Sequence, residues 1–150
     1  CAGPGGKTAV LAAEALAHGA RLDANEISPA RAGLVRRSIA GVPLEVEVTE
    51  RDGRDLTAER PGIYDRILVD APCTGLGALR RRPESRWRKS PQDVAPLAEL
   101  QGELLSAAVT GLRPGGVVAY AAWGEARRRA RAARSALERG VVGRRGGVRD

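Results

Sequence analysis

Two short segments carry residue types that could do chemistry. Cys1-Ala2-Gly3-Pro4-Gly5-Gly6-Lys7-Thr8 is a glycine-rich run, and Asp70-Ala71-Pro72-Cys73-Thr74-Gly75 sets a carboxylate close to a thiol. The first invites comparison with a phosphate-binding loop, because Gly6-Lys7-Thr8 supplies the end of that pattern. The spacing fails. The position of the pattern's first glycine is Cys1, and Pro4 removes one of the backbone N–H donors on which a phosphate cradle depends. The other use of such a turn is to bring the backbone close to a nucleoside cofactor, with an acid at the end of the next strand holding ribose hydroxyls. Glu26 stands in that place, about 20 residues on, the spacing of one strand-helix-strand step.

Three uses of Cys73 are open on its residue type alone. It is a buried structural thiol, or a thiolate that attacks carbon 6 of a pyrimidine and makes carbon 5 nucleophilic, or an acid or base in a later step. Pro72 stiffens the turn between Asp70 and Cys73.

These segments need a scaffold that gathers them. Val10, Ala13 and Ala17, closed by Gly19, predict a helix from Gly5 to His18, followed by a strand over Ala20 to Asn25. Ser28-Pro29 suits the cap and first position of a helix through Ala40, ended by Gly41 and Pro43. Further strands are expected at Leu44 to Thr49, at Tyr64 to Asp70 with both faces buried, and at Val117 to Ala121. Val94, Leu97, Leu100, Leu104, Ala108 and Leu112 repeat at helical spacing between a Ser90-Pro91 start and an Arg113-Pro114-Gly115-Gly116 stop. Alternating strands and helices imply an α/β fold with a parallel sheet, whose ligands sit at the carboxyl ends of the strands. Cys1 to Lys7, Asn25-Glu26, Asp52-Gly53 and Asp70 to Gly75 are the turns at that end, and they are expected to converge on one cleft.

Composition narrows the classes. The 150 residues suit one domain, and no apolar run approaches the roughly 18 to 20 residues that cross a bilayer. Two cysteines far apart and the single His18 fit neither a disulfide scaffold nor a metal cluster, which leaves a cytoplasmic reading without metal. The net charge of +7 suggests nucleic acid, yet residues 121–150 hold nine Arg against three acids, so the body is nearly neutral. Within that body the basic residues gather at Arg80, Arg81, Arg82, Arg86, Arg88 and Lys89 around Trp87, either a solvated loop or an RNA-facing one. The chain reads as a fragment, since it has no initiator Met and begins inside the glycine-rich run.

The two segments, together with Asp52-Gly53-Arg54, Arg80-Arg81-Arg82-Pro83 with Trp87, and Leu112-Arg113-Pro114-Gly115-Gly116 before a strand, resemble the Sun/Fmu type of RNA cytosine-C5 methyltransferases over about residues 1–121. The resemblance implies a Rossmann-like S-adenosylmethionine methyltransferase fold, here truncated at both ends, acting on a cytidine of ribosomal RNA. It implies that the backbone of Cys1, Ala2, Gly3, Pro4, Gly5, Gly6 and Lys7 holds the methionine part of S-adenosylmethionine and that Glu26 binds its ribose. Asp52 would then lie by the adenine and Asp70 near both cofactor and target base. Cys73 would assist product release, and Arg80 to Lys89 with Trp87 would form an RNA-side wall beside a flipped cytidine.

The sequence departs from the family at one decisive place. The attacking cysteine, expected in a Thr-Cys-Ser run after the last strand, is replaced by Trp123 in Ala121-Ala122-Trp123-Gly124. Residues 122–150 are an Arg/Gly/Ala-rich tail with the bias of a disordered segment or of an out-of-frame translation, and 1–121 are the partial catalytic core. The expectation is a methyltransferase core that does not transfer methyl groups. The alternative is a non-catalytic cofactor- or RNA-binding module with an Arg-rich extension.

Overall fold

The computed structural model describes residues 1–72 and 94–121. The expectations placed on Cys73, on Arg80 to Lys89 with Trp87, on the Ser90-Pro91 helix start, on Trp123 and on the tail lie outside the described residues. The chain forms two compact units, Cys1–Glu59 and Arg60–Asp150.

The first unit runs α1 (Gly6–Ala17), β1 (Leu22–Asn25), α2 (Pro29–Ile39), β2 (Val46–Thr49) and α3 (Gly53–Glu59). The stop expected at Gly19 is built as a left-handed cap: Gly19 has φ 60°, its N–H donates to the Leu16 carbonyl, and the Ala20 N–H reaches the Ala15 carbonyl at 2.8 Å. β1 and β2 pair in parallel from Leu22 opposite Val46 to Asn25 opposite Thr49. The Glu26 N–H extends the ladder to the Thr49 carbonyl at 3.0 Å. α1 packs on α2, and the buried positions are small: Thr8 and Ala12 on α1, Ala32 and Val35 on α2, Ala24 on β1. Ser28 precedes α2 and Pro29 opens it, as the sequence predicts, but the Ser28 hydroxyl makes no cap bond. Helix α3 was not anticipated, because seven residues with only Leu56 and Thr57 buried carry no readable apolar period.

The second unit contains β3 (Tyr64–Asp70), α4 (Val94–Gly111) and β4 (Leu112–Ala121), with β3 and β4 parallel from Arg66 opposite Val117 to Asp70 opposite Ala121. Its core is Val69, Ala71 and Ala108, with Ile67, Leu104, Val118 and Tyr120 against them. Two expectations are corrected here. β3 is not buried on both faces, since Val69 is its one buried residue and Leu68 is 39% exposed. Arg113 to Gly116 does not lie before the last strand but within it, where the register shifts between Tyr64 and Arg66 and Gly115 takes φ 81°. Both units are α/β with parallel strands, as the sequence predicts.

Candidate functional site

Helix α1 begins at Gly6, so the glycine-rich turn proper is Cys1 to Gly5, while Gly6 and Lys7 belong to the first helical turn and are exposed. The Cys1 and Ala2 nitrogens both donate to the Asn25 carbonyl, at 2.7 and 2.9 Å, which fastens the turn to the carboxyl end of β1. The Thr8 hydroxyl donates back to the Ala2 carbonyl at 3.3 Å. The Gly3–Pro4 peptide is cis, and Pro4 is exposed. Gly5 precedes the helix with φ 116°, a backbone conformation that favours glycine.

Glu26 is only 2% exposed, and a carboxylate at that depth requires partners. They are backbone donors: the Gly3 N–H reaches its Oε2 at 3.0 Å and the Ser28 N–H its Oε1 at 3.2 Å. Arg31, in the first turn of α2, donates from Nη2 to the Gly3 carbonyl at 2.6 Å and lies 3.8 Å from Glu26 Oε2. Gly3 is therefore held from both sides. A Cβ there would stand 2.9 Å from Arg31 Cβ and 3.0 Å from Glu26 Oε2. Burial alone pushes the Glu26 carboxyl up; the hydrogen bonds from Gly3 and Ser28, with Arg31, outweigh it and hold the group below its usual range.

Asp52 lies past the end of β2, in the turn that opens α3. Its Oδ1 accepts the Arg54 N–H at 2.9 Å, an N-cap, and the Arg54 guanidinium grips both oxygens, Nε to Oδ1 at 2.9 Å and Nη2 to Oδ2 at 2.6 Å. That Arg54 side-chain contact, followed by the Arg54 N–H, brings the Asp52 carboxyl down to about 2. The depressed value has a sign: the stabilisation is present above the unfolded pKa and is lost as pH falls through the folded one. We expect an unfolding free-energy difference on the order of 1 kcal/mol, discounted for solvent screening, between the wild type and Asp52→Asn at pH 5. Denaturant titrations should show that difference vanish between about pH 4 and pH 2.

The first unit thus brings together Cys1, Ala2, Gly3 and Glu26, and joins Asp52 to them through Asn25, whose side chain bonds to the Arg51 backbone. Asp70 is half-buried at the end of β3, and the next residue's N–H donates to the Ala121 carbonyl at 2.8 Å. The Pro72 carbonyl accepts from Gln101 Nε2 at 2.5 Å, and Gln101 is only 4% exposed. Arg31, Gln101 and the side chain of Asn25 were missed by sequence reasoning, and Arg54 was read only as part of the Asp52-Gly53-Arg54 run. One signal was available: Gln101 interrupts the apolar face that Leu97, Leu104, Leu105 and Ala108 share at helical spacing, and a polar residue there must find a partner. Among the described residues no group of three His, Cys, Asp or Glu could hold a metal ion, and no helix is long and apolar enough to cross a membrane.

Two carboxylates in this unit are acceptors of the kind a nucleoside's donors need. Glu26 and Asp52 are ionised acceptors at neutral pH, each with lone pairs beyond those their present partners use, the chemistry that hydroxyls and an amino group require.

Comparison with known proteins gives the family. The family model described as 16S rRNA methyltransferase RsmB/F matches residues 1–126. A protein of Mycobacterium tuberculosis named as a methyltransferase is 62% identical over 121 residues, covering 81% of this chain and 26% of that protein. Ribosomal RNA small subunit methyltransferase B of Sodalis glossinidius is 40% identical over 122 residues, covering 81% of this chain and 28% of its own length. The structure of NSun6 from Pyrococcus horikoshii with SFG superposes with a TM-score of 0.69 at 32% identity, over 80% of this chain and 30% of that one. The chain spans about a quarter of the length of the curated relatives it matches.

Proposed function

This chain belongs to the 16S rRNA methyltransferase RsmB/F family, and from that membership we propose that it carries the S-adenosylmethionine site of an RNA cytosine-C5 methyltransferase. One observation supports this most: the Gly3 N–H on the buried Glu26 carboxylate, which ties a glycine-rich turn to the acid at the end of β1. SFG, the analogue of S-adenosylmethionine in the NSun6 structure, fits the same reading.

The turn from Cys1 to Gly5, with Gly6 and Lys7 behind it, holds the methionine part; Glu26 accepts from the ribose hydroxyls, and Asp52 lies by the adenine. When bound, the cofactor supplies an electrophilic methyl group to carbon 5 of a cytidine in ribosomal RNA. Glu26 stays ionised and oriented by Gly3 and Ser28, so it would accept from a diol without a proton having to leave first. By the same membership Asp70, at the end of β3, and Cys73 are further site residues, Cys73 for product release. With Trp123 at the nucleophile's place, no thiolate attacks carbon 6, and this chain binds without turnover.

Equilibrium dialysis against methyl-labelled S-adenosylmethionine, followed by addition of a 16S rRNA transcript, tests both parts. Retained cofactor without label in RNA is the expected result. Label incorporated above background would overturn the inactivity. No retention would overturn the cofactor site and favour the alternative, an RNA-binding module whose Arg-rich tail gathers phosphates.

A further inference from the structure

Asn25 is the last residue of β1, and it does two separate jobs. Its main-chain carbonyl receives the Cys1 and Ala2 nitrogens of the glycine-rich turn. Its side chain faces the other way, past the end of β2. There Nδ2 donates to the Arg51 carbonyl at 3.0 Å, the Arg51 N–H donates to Oδ1 at 3.2 Å, and the Thr49 hydroxyl donates to the same oxygen at 2.8 Å.

The amide thus behaves as one more peptide group in the β1–β2 ladder. It gives Arg51 both the acceptor and the donor that a strand neighbour would supply. The amide's orientation follows from its partners: turned over, Nδ2 would face the Arg51 N–H and Oδ1 would face the Arg51 carbonyl. Asp52 follows Arg51 directly, so the held peptide places the Asp52 main chain, and Arg54 then grips the carboxylate.

We propose that Asn25 is a positioning residue for purine recognition: its side-chain amide fixes the Arg51–Asp52 backbone and so the direction in which Asp52 meets the exocyclic amino group of an adenine. This rests on the assignment of Asp52 to the adenine made above. An apolar residue at this position would leave the β1 main chain unchanged while releasing the Arg51 peptide. Asn25→Asp would set a carboxylate oxygen against the Arg51 carbonyl.

The test compares two ligands on the full 150-residue chain by calorimetry: S-adenosylhomocysteine and S-inosylhomocysteine, in which a carbonyl replaces the amino group. A hydrogen bond to a charged acceptor makes the wild type prefer the adenosyl ligand by about tenfold or more. Asn25→Leu and Asn25→Asp should bring that ratio towards one. The ratio is unaffected by partial unfolding, because both ligands meet the same folded fraction. Hydrogen exchange at the Arg51 amide, slow in the wild type, should quicken in Asn25→Leu.

If the variants lose affinity for both ligands equally and keep the wild-type ratio, Asn25 is merely structural and the inference is overturned while the Asp52 assignment stands. If the wild type binds both ligands alike, the Asp52 assignment fails and this inference falls with it. If the wild type binds neither, the cofactor site itself fails, and the inference with it.

Discussion

Replacing Gly5 by alanine should unfold the first unit. Gly5 sits at φ 116° immediately before α1, and a Cβ built there lies 2.0 Å from Ser38 Oγ and 3.0 Å from the Val35 Cα. The Ser38 hydroxyl can rotate away from its bond to the Val35 carbonyl, but the Ser38 Cβ, 2.9 Å from the new methyl, is fixed to α2. Val35 Cα cannot move either, since it is the backbone of a helix whose side chain at that position is fully buried. Backbone strain of about 1–3 kcal/mol adds to overpacking of about 1–3 kcal/mol. The sum is comparable with much of the total stability of a small domain. Urea unfolding followed by circular dichroism should show a midpoint displaced far below the wild type's or no cooperative transition. Gly6→Ala is the matched control, because a Cβ there meets nothing within 4 Å, and it should leave the midpoint unchanged or slightly raised.

Glu26→Gln should cost about 2–3 kcal/mol of stability while leaving shape and volume nearly unchanged. Two N–H groups, from Gly3 and Ser28, converge on two oxygens of one buried carboxylate. An amide keeps one acceptor and presents a donor to the other N–H, so one of them loses its partner, and the charge that faces Arg31 is lost as well. The same substitution should lower S-adenosylmethionine retention by at least tenfold in dialysis, since a hydrogen bond to a charged group is exchanged for a neutral one. Equal stability of the variant and the wild type would mean that the clamp contributes nothing to the fold.

The parts of this molecule that could be read from sequence are those with a repeating or punctuated signal. The helices around Ala12 and Ala32 have apolar spacing and glycine or proline at their ends, and they lie within a residue or two of where the pattern places them. Gly3 and Glu26 were legible as a pair because one strand-helix step separates them. Arg31 was not, since its partner is a backbone carbonyl 28 positions earlier, and such an acceptor leaves no trace in side-chain type. Asn25 was legible as a turn residue, whereas its amide-to-peptide pairing with Arg51 depends on the β1–β2 register, which is a tertiary fact. Strand β4 was read too short because Pro114 and Gly115 are turn residues by type, and only the register shift against Tyr64 shows that they lie within a strand.

The clamp around Gly3 also bears on the rate and entropy of recognition. The turn that would surround the methionine part is already tied down by Asn25, Glu26 and Arg31 before any ligand arrives. A nucleoside entering it has little chain to immobilise, so the conformational entropy that a floppy glycine loop would surrender on binding was surrendered on folding instead. Glycine is thus used here for close approach and unusual backbone angles, and the stiffness of the turn comes from its neighbours.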